Sequence, residues 1–256
     1  MTLFPLDAVH NASVSREIEP ALAELREEIA AYTFSPDIHG GDTQDILEVF
    51  DLARPRLNVL VRMLRDMRGR RGADIGSGYG FLPVLLSRCG LQAIATEQDD
   101  RILGFASERG IEVLHYEIGE TLAPFSPESL DFLVLGEVLE HLKQPPVRAL
   151  TELASALKPE GLLLLTTPNI ARMQHLHALA AGENFLEPFS EHIPPGADST
   201  DYVEHVREYS IREVVDAVEA VGLEVTDVLM TGWGDGGYDL LPNPFVNEIM
   251  VVKAEK

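Results

Sequence analysis

The spacing of apolar residues changes near position 71. Upstream they recur at helical period. Ile18, Leu22, Leu25 and Ile29 share one face of a helix predicted over 15–32 with Ser15 as its cap, and Ile46, Val49, Phe50, Leu57, Leu60 and Leu64 mark a second, bent at Pro55. Ser35-Pro36 ends the first, and 37–42 is a polar loop. Downstream the apolar residues come in short runs, 73–75, 91–96, 112–115, 130–135 and 162–166, with helical stretches between them. That alternation predicts a doubly wound α/β sheet of parallel strands. A helix over 210–221, capped by Ser210 and stopped by Gly222, leads to two terminal strands over 224–230 and 246–253, which brings the count to seven. The chain thus divides into an N-terminal helical cap over 1–70, set against the carboxyl edge of the sheet, and a larger α/β domain over 71–256.

A polar stretch from about 170 to 209 interrupts this pattern and carries His175, His177, Glu191, His192, Pro194, Pro195, Gly196 and Asp198. Long loops inside compact domains usually serve function, so this one is predicted to be a substrate lid. Between the last two strands, 232–238 is too glycine-rich for regular structure and would line the pocket with Trp233 and Tyr238.

Ligands of doubly wound sheets sit at the carboxyl ends of the strands. There 73–83, ADIGSGYGFLP, reads as a strand end, a tight turn and a helix start. Glycine admits positive φ and the close approach of a ligand, and the N–H groups of the following helix favour a polar or anionic group. These residues point to a nucleotide-like cofactor at Asp74, Gly76, Ser77, Gly78 and Gly80. Glu97 ends the second run, 21 positions after Gly76, where a carboxylate can accept from both hydroxyls of a ribose. A dinucleotide fingerprint places a third glycine at 81, where this chain has Phe81, which weakens a nicotinamide-dependent oxidoreductase reading.

With these residues the sequence resembles the class I S-adenosylmethionine-dependent methyltransferases. The 73–80 turn matches their first motif, Glu97 their ribose acid, and 122–138, LAPFSPESLDFLVLGEV, their approach to the fourth strand. The terminal strand pair suits their sheet, whose last-but-one strand is inserted antiparallel. The resemblance covers about 71–256 and implies a Rossmann-like, mostly parallel sheet with S-adenosyl-L-methionine as cofactor. It places the methionine part at Asp74 and the glycine turn, the ribose at Glu97, and the adenine at Ile118, Gly119 and Glu120, with Gln98 and Gly136 as further cofactor-binding candidates. Where the family often carries Asp, this chain has Glu120.

Glu137, Glu140 and His141 in GEVLEHL stand at spacings of three and four, so on a helix they share one face. His205 supplies another imidazole just beyond the insertion. These four residues resemble the metal quartet of the small-RNA 2′-O-methyltransferases and of the ubiquinone-pathway O-methyltransferases, and Thr167-Pro168-Asn169 resembles a segment of the former. The resemblance implies a divalent metal, magnesium first and manganese next, with iron and zinc compatible in ligand type. Such a metal lowers the pKa of a substrate hydroxyl and aligns its oxygen with the S–CH₃ bond, so Glu140, His141 and His205 become the catalytic candidates. Without a metal, His141 or His205 serves as general base; the plainer alternative is a common helix opening with a packed His141.

Composition narrows the partners. A net charge of −22 repels polyanions and argues against nucleic acid; Arg65, Arg68, Arg70 and Arg71, the nearest thing to a basic cluster, suit a helix end. No stretch approaches the roughly 20 apolar residues of a membrane span, and the first 20 residues lack a signal pattern, so a cytoplasmic protein is expected. The single Cys89 excludes an internal disulfide and reads as a packing residue. The expected acceptor is a small-molecule or oligosaccharide hydroxyl. A sugar is preferred, as in pathways making methylmannose polysaccharide, because the lid is polar and Trp233 and Tyr238 can stack on it; a catechol-like ring is the alternative. A catalytically silent cofactor-binding partner is the reading from another class, and the helical cap offers a surface for a homodimer.

Overall fold

The computed structural model describes residues 5–12, 16–35, 42–185, 205–233 and 241–256. Its strands are β1 (His10–Asn11), β2 (Arg71–Ile75), β3 (Gln92–Glu97), β4 (Glu112–His115), β5 (Leu130–Gly136), β6 (Leu157–Pro168), β7 (Glu224–Thr231) and β8 (Ile249–Glu255). They form one sheet in the order β1-β7-β8-β6-β5-β2-β3-β4. β8, the last strand in sequence and not the last but one, runs antiparallel to β6 and β7, and the other pairings are parallel. Each apolar run expected to be a strand overlaps one, although the last begins at Ile249, after a 3-10 turn over Pro244–Val246, and not at 246. β1 is an addition: two residues paired with Leu229 and Met230 of β7, too short to show any period in the sequence.

The helices are α1 (Glu19–Ala31), α2 (Thr43–Met63), α3 (Phe81–Arg88), α4 (Gly104–Ser107), α5 (Pro146–Ala156), α6 (Met173–Ala180) and α7 (Ile211–Glu219). Strand side chains alternate between two apolar layers. Phe132, Val134, Leu162 and Leu164 pack with α1, α2 and α3, whereas Leu133, Leu135, Leu163 and Leu165 pack with α5 and α7. The N-terminal helices cover a face of the sheet: Leu22, Leu25, Phe50 and Leu60 join one cluster with it, while Arg56 of α2 reaches Glu137 at the end of β5. A parallel sheet needs both faces covered, and the apolar stripes of α1 and α2 supply that cover.

Local signals held unevenly. α7 carries the full capping box, with Ser210 Oγ accepting from Glu213 N and Glu213 accepting from Ser210 N, and Gly222 follows it at φ 85°. Pro55 lies inside an α2 of 21 residues, which Asp42 caps by accepting from Gln44 N. α1 begins only at Glu19, with Pro20 in its first turn. Ser15, most of the expected lid (186–204) and 234–240, including Tyr238, lie outside the described residues. No described helix is long and apolar enough to cross a membrane.

Phe81, the departure from a dinucleotide fingerprint, belongs to an aromatic cluster with Phe50, Tyr79 and Phe105. Phe50 is fully buried and meets Phe81 edge-on at 5.3 Å. Phe50→Ala should cost about 3–5 kcal/mol, since the ring's contacts are lost to a cavity. Urea denaturation followed by circular dichroism checks this, and an unchanged midpoint would refute it.

Candidate functional site

Parallel pairing brings the strand ends level. Ile75 lies beside Thr96 and Leu135, and Gly136 beside Thr166, so the loops leaving β2, β3, β5 and β6 meet along one edge. The turn after β2 uses each glycine differently. A Cβ on Gly76 would come within 2.7 Å of Val138, and one on Gly80 within 2.5 Å of Ala106, so these two permit packing. Gly78, at φ 52°, faces open space and leaves room for a ligand against the backbone. Ser77 fastens the turn: its Oγ donates to Asp74 O at 2.9 Å and accepts from Thr96 N at 3.1 Å.

Glu97 leans back over this turn, accepting from Gly78 N at 3.0 Å and from Gln98 N at 2.8 Å. Burial nevertheless raises its pKa above the usual carboxylate value. Asp74 is buried, and desolvation lifts its pKa to about 7 against the opposing Ser77 hydrogen bond and Arg56 charge. Ile118, Gly119 and Glu120 line a small crevice with Leu142 and Arg148.

Arg56, from α2, is the cation that the sequence concealed. It reads there as one more polar residue of an amphipathic helix. In the structure, burial lowers its pKa to about 10, with Glu140 and Asp74 as the charges opposing that shift. Nη1 stands 3.3 Å from Glu137 Oε1, yet neither Nε nor Nη1 makes a hydrogen bond among the described residues.

GEVLEHL does not form the expected helix. Glu137 takes a left-handed φ of 57°, and Leu139–His141 is a three-residue 3-10 turn, so the spacing of three and four no longer sets a common face. The reason is local. Glu137 N donates to Thr166 O at 2.9 Å, and Thr166 Oγ1 donates to Glu137 Oε1 at 2.7 Å, which bends the chain out of β5 toward β6. Three of the four expected metal ligands still converge. One donor atom each from Glu140, His141 and His205 lies within 4.8 Å of the others, and among the described residues Glu137 does not join them.

Glu140 is fully buried and accepts from Thr167 Oγ1 at 2.8 Å through Oε2, while Oε1 makes no hydrogen bond among the described residues. Burial raises its pKa, with the Thr167 hydrogen bond and the charges of His205 and Arg56 opposing. Its carbonyl accepts from Val206 N at 2.7 Å and Arg207 N at 3.2 Å, which ties the His205 segment to the turn. The His141 and His205 rings meet edge-on at 5.0 Å. A hydrogen bond to Glu208 raises the His205 pKa, burial opposes, and Glu140 adds to the rise.

A cleft of about 400 Å³ opens beside His205, lined also by Arg172, Gln174, His175, Phe185 and Trp233. His175 stacks on Phe185 at 4.3 Å, and Trp233 N donates to Glu248 Oε2 at 2.6 Å. Thr166 and Thr167, at the end of β6, were missed as participants, although the Thr-Pro-Asn segment marked the place.

A model of the methyltransferase domain family matches residues 19–228. The chain is 29% identical over 152 residues to a ubiquinone biosynthesis O-methyltransferase of Methylococcus capsulatus, covering 57% of this chain and 63% of that protein. To the enzyme of the same description from Neisseria meningitidis it is 30% identical over 131 residues, covering 48% and 54%. The chain thus spans roughly half to three-fifths of the length of these curated relatives. Among solved structures, an S-adenosylmethionine dependent methyltransferase of Mesorhizobium loti superimposes with a TM-score of 0.57 at 18% identity, over 77% of this chain and 96% of that one, a likeness of fold.

Proposed function

The chain belongs to the methyltransferase domain family, and on that footing we propose that it is an S-adenosylmethionine-dependent O-methyltransferase acting on a ring hydroxyl held at Glu140, His141 and His205. The observation that carries this reading is the placement of an open glycine turn and a carboxylate–imidazole cluster along one edge of the sheet.

The residues fit the cofactor. Nε and Nη1 of Arg56, which make no hydrogen bond among the described residues, suit its α-carboxylate, Asp74 its α-ammonium, and Glu97 its ribose hydroxyls, while the backbone at Gly78 leaves room for close approach. When bound, the cofactor supplies an electrophilic methyl group on a sulfonium. What remains for the chain is to hold the acceptor oxygen and take its proton, and the His141–His205 pair stands beside the cleft where that oxygen would enter.

The orphaned Oε1 of Glu140 and the two imidazoles also fit a divalent metal. Without Glu137 the set is one carboxylate and two imidazoles, which favours manganese or iron over the magnesium first expected. Such an ion would supply a lowered pKa at an acceptor hydroxyl.

Both curated relatives are named for ubiquinone biosynthesis, which moves the favoured acceptor from a sugar to an aromatic diol. The stacked His175 and Phe185 and the neighbouring Trp233 suit a flat ring. The sugar preference rested on a polar lid that lies mostly outside the described residues.

Gly78→Val and Arg56→Met should each abolish binding of S-adenosylhomocysteine in isothermal titration. Glu140→Ala and His205→Ala should leave that affinity unchanged and remove methyl transfer to a catechol panel, by about 100-fold or more. Normal turnover in both variants would overturn the assignment. A cationic amine binds ionised Asp74, so with a pKa of about 7 affinity should rise roughly tenfold from about pH 6 to pH 8. Asp74→Asn should flatten that profile.

A further inference from the structure

Beside the reacting group lies a carboxylate that no step above uses. The side chain of Glu208 is only 3% exposed, and two groups share its Oε1: Arg172 Nη2 at 2.8 Å and His205 Nδ1 at 3.3 Å. Its Oε2 makes no hydrogen bond among the described residues. His175 Nδ1 comes within 3.3 Å of that oxygen and has the Ile170 carbonyl as its own partner at 3.1 Å. Arg172 stands at the start of α6, before residues 186–204, and His205 follows them. A single oxygen therefore joins the cleft wall to the reacting imidazole.

The chemistry of the pair fixes the direction of the bond. An ionised carboxylate has no proton to donate, so Nδ1 of a neutral His205 must carry the ring hydrogen, and Nε2 keeps the lone pair. A lone pair on the ring nitrogen remote from the supporting carboxylate is what either a metal ligand or a general base requires. We propose that Glu208 is the positioning residue of this site: anchored by Arg172, it holds His205 in the Nδ1-protonated form and makes Nε2 the nitrogen available to the group formed with Glu140 and His141. This rests on the reading of those three residues as the reacting group, but its test does not depend on turnover.

The test uses the full chain labelled with ¹⁵N-histidine and reads ring tautomers by long-range ¹H–¹⁵N correlation, above the titration of the ring, with His205→Asn to assign the signals. Wild type should show the hydrogen on Nδ1. The paired variant Arg172→Met with Glu208→Met removes both charges together and leaves no unpaired ion. It should shift the hydrogen to Nε2, lower manganese affinity about 10–100-fold by electron paramagnetic resonance, and leave S-adenosylhomocysteine affinity unchanged. Glu208→Gln keeps an accepting oxygen and should restore the wild-type tautomer. An Nε2 hydrogen in wild type overturns the proposal, and that spectrum decides alone if the paired variant fails to fold. An unchanged tautomer in the folded paired variant overturns it equally. If wild type binds no manganese while the tautomer moves as stated, the positioning role stands and only the metal reading falls.

Discussion

A carboxylate taken out of water costs several kcal/mol unless its surroundings answer for the lost hydration, and Glu140 is taken out completely. The hydroxyl of Thr167 meets one oxygen, and the charges of His205 and Arg56 favour its ionised form. Those three partners come from β6, from the segment before α7 and from the N-terminal α2, so one buried group draws distant parts of the chain to the end of β5. Its backbone does the same, since the Glu140 carbonyl holds the residues that follow His205.

The cofactor side obeys a different constraint, which is space. Gly76 and Gly80 are small because Val138 and Ala106 press against them, whereas Gly78 is small with nothing beside it. Ser77 and Glu97 hold the turn in shape from within. The turn is therefore rigid where it meets protein and open where it meets solvent, as a preformed binding surface should be.

The sheet was legible because short apolar runs and long helical stripes are properties of neighbouring residues. Glu112–His115 matches its expected bounds, and the Ser210 capping box is written in four consecutive residues. What failed was whatever depended on a partner far away in sequence. The GEVLEHL helix was lost to Thr166, 29 positions from Glu137. Arg56 gave no local sign of its role, since Asp74, Glu137 and Glu140 surround it only after folding. The convergence of Glu140 with His205 was legible only as a resemblance, and Glu208, three residues from His205, was passed over because an acid beside a histidine is ordinary on any surface.

The small β1 has a consequence for how this chain can be cut. The family match begins at residue 19, yet His10 and Asn11 pair with β7, and Asn11 accepts from Asn247 and donates to Leu241 O. A chain shortened only at its N-terminus, to residue 19, would retain α1 and the whole cofactor turn while baring the backbone of β7 along Leu229 and Met230. An uncovered strand of that kind recruits other chains. The limits of kinship and the limits of a well-behaved molecule therefore fall at different residues.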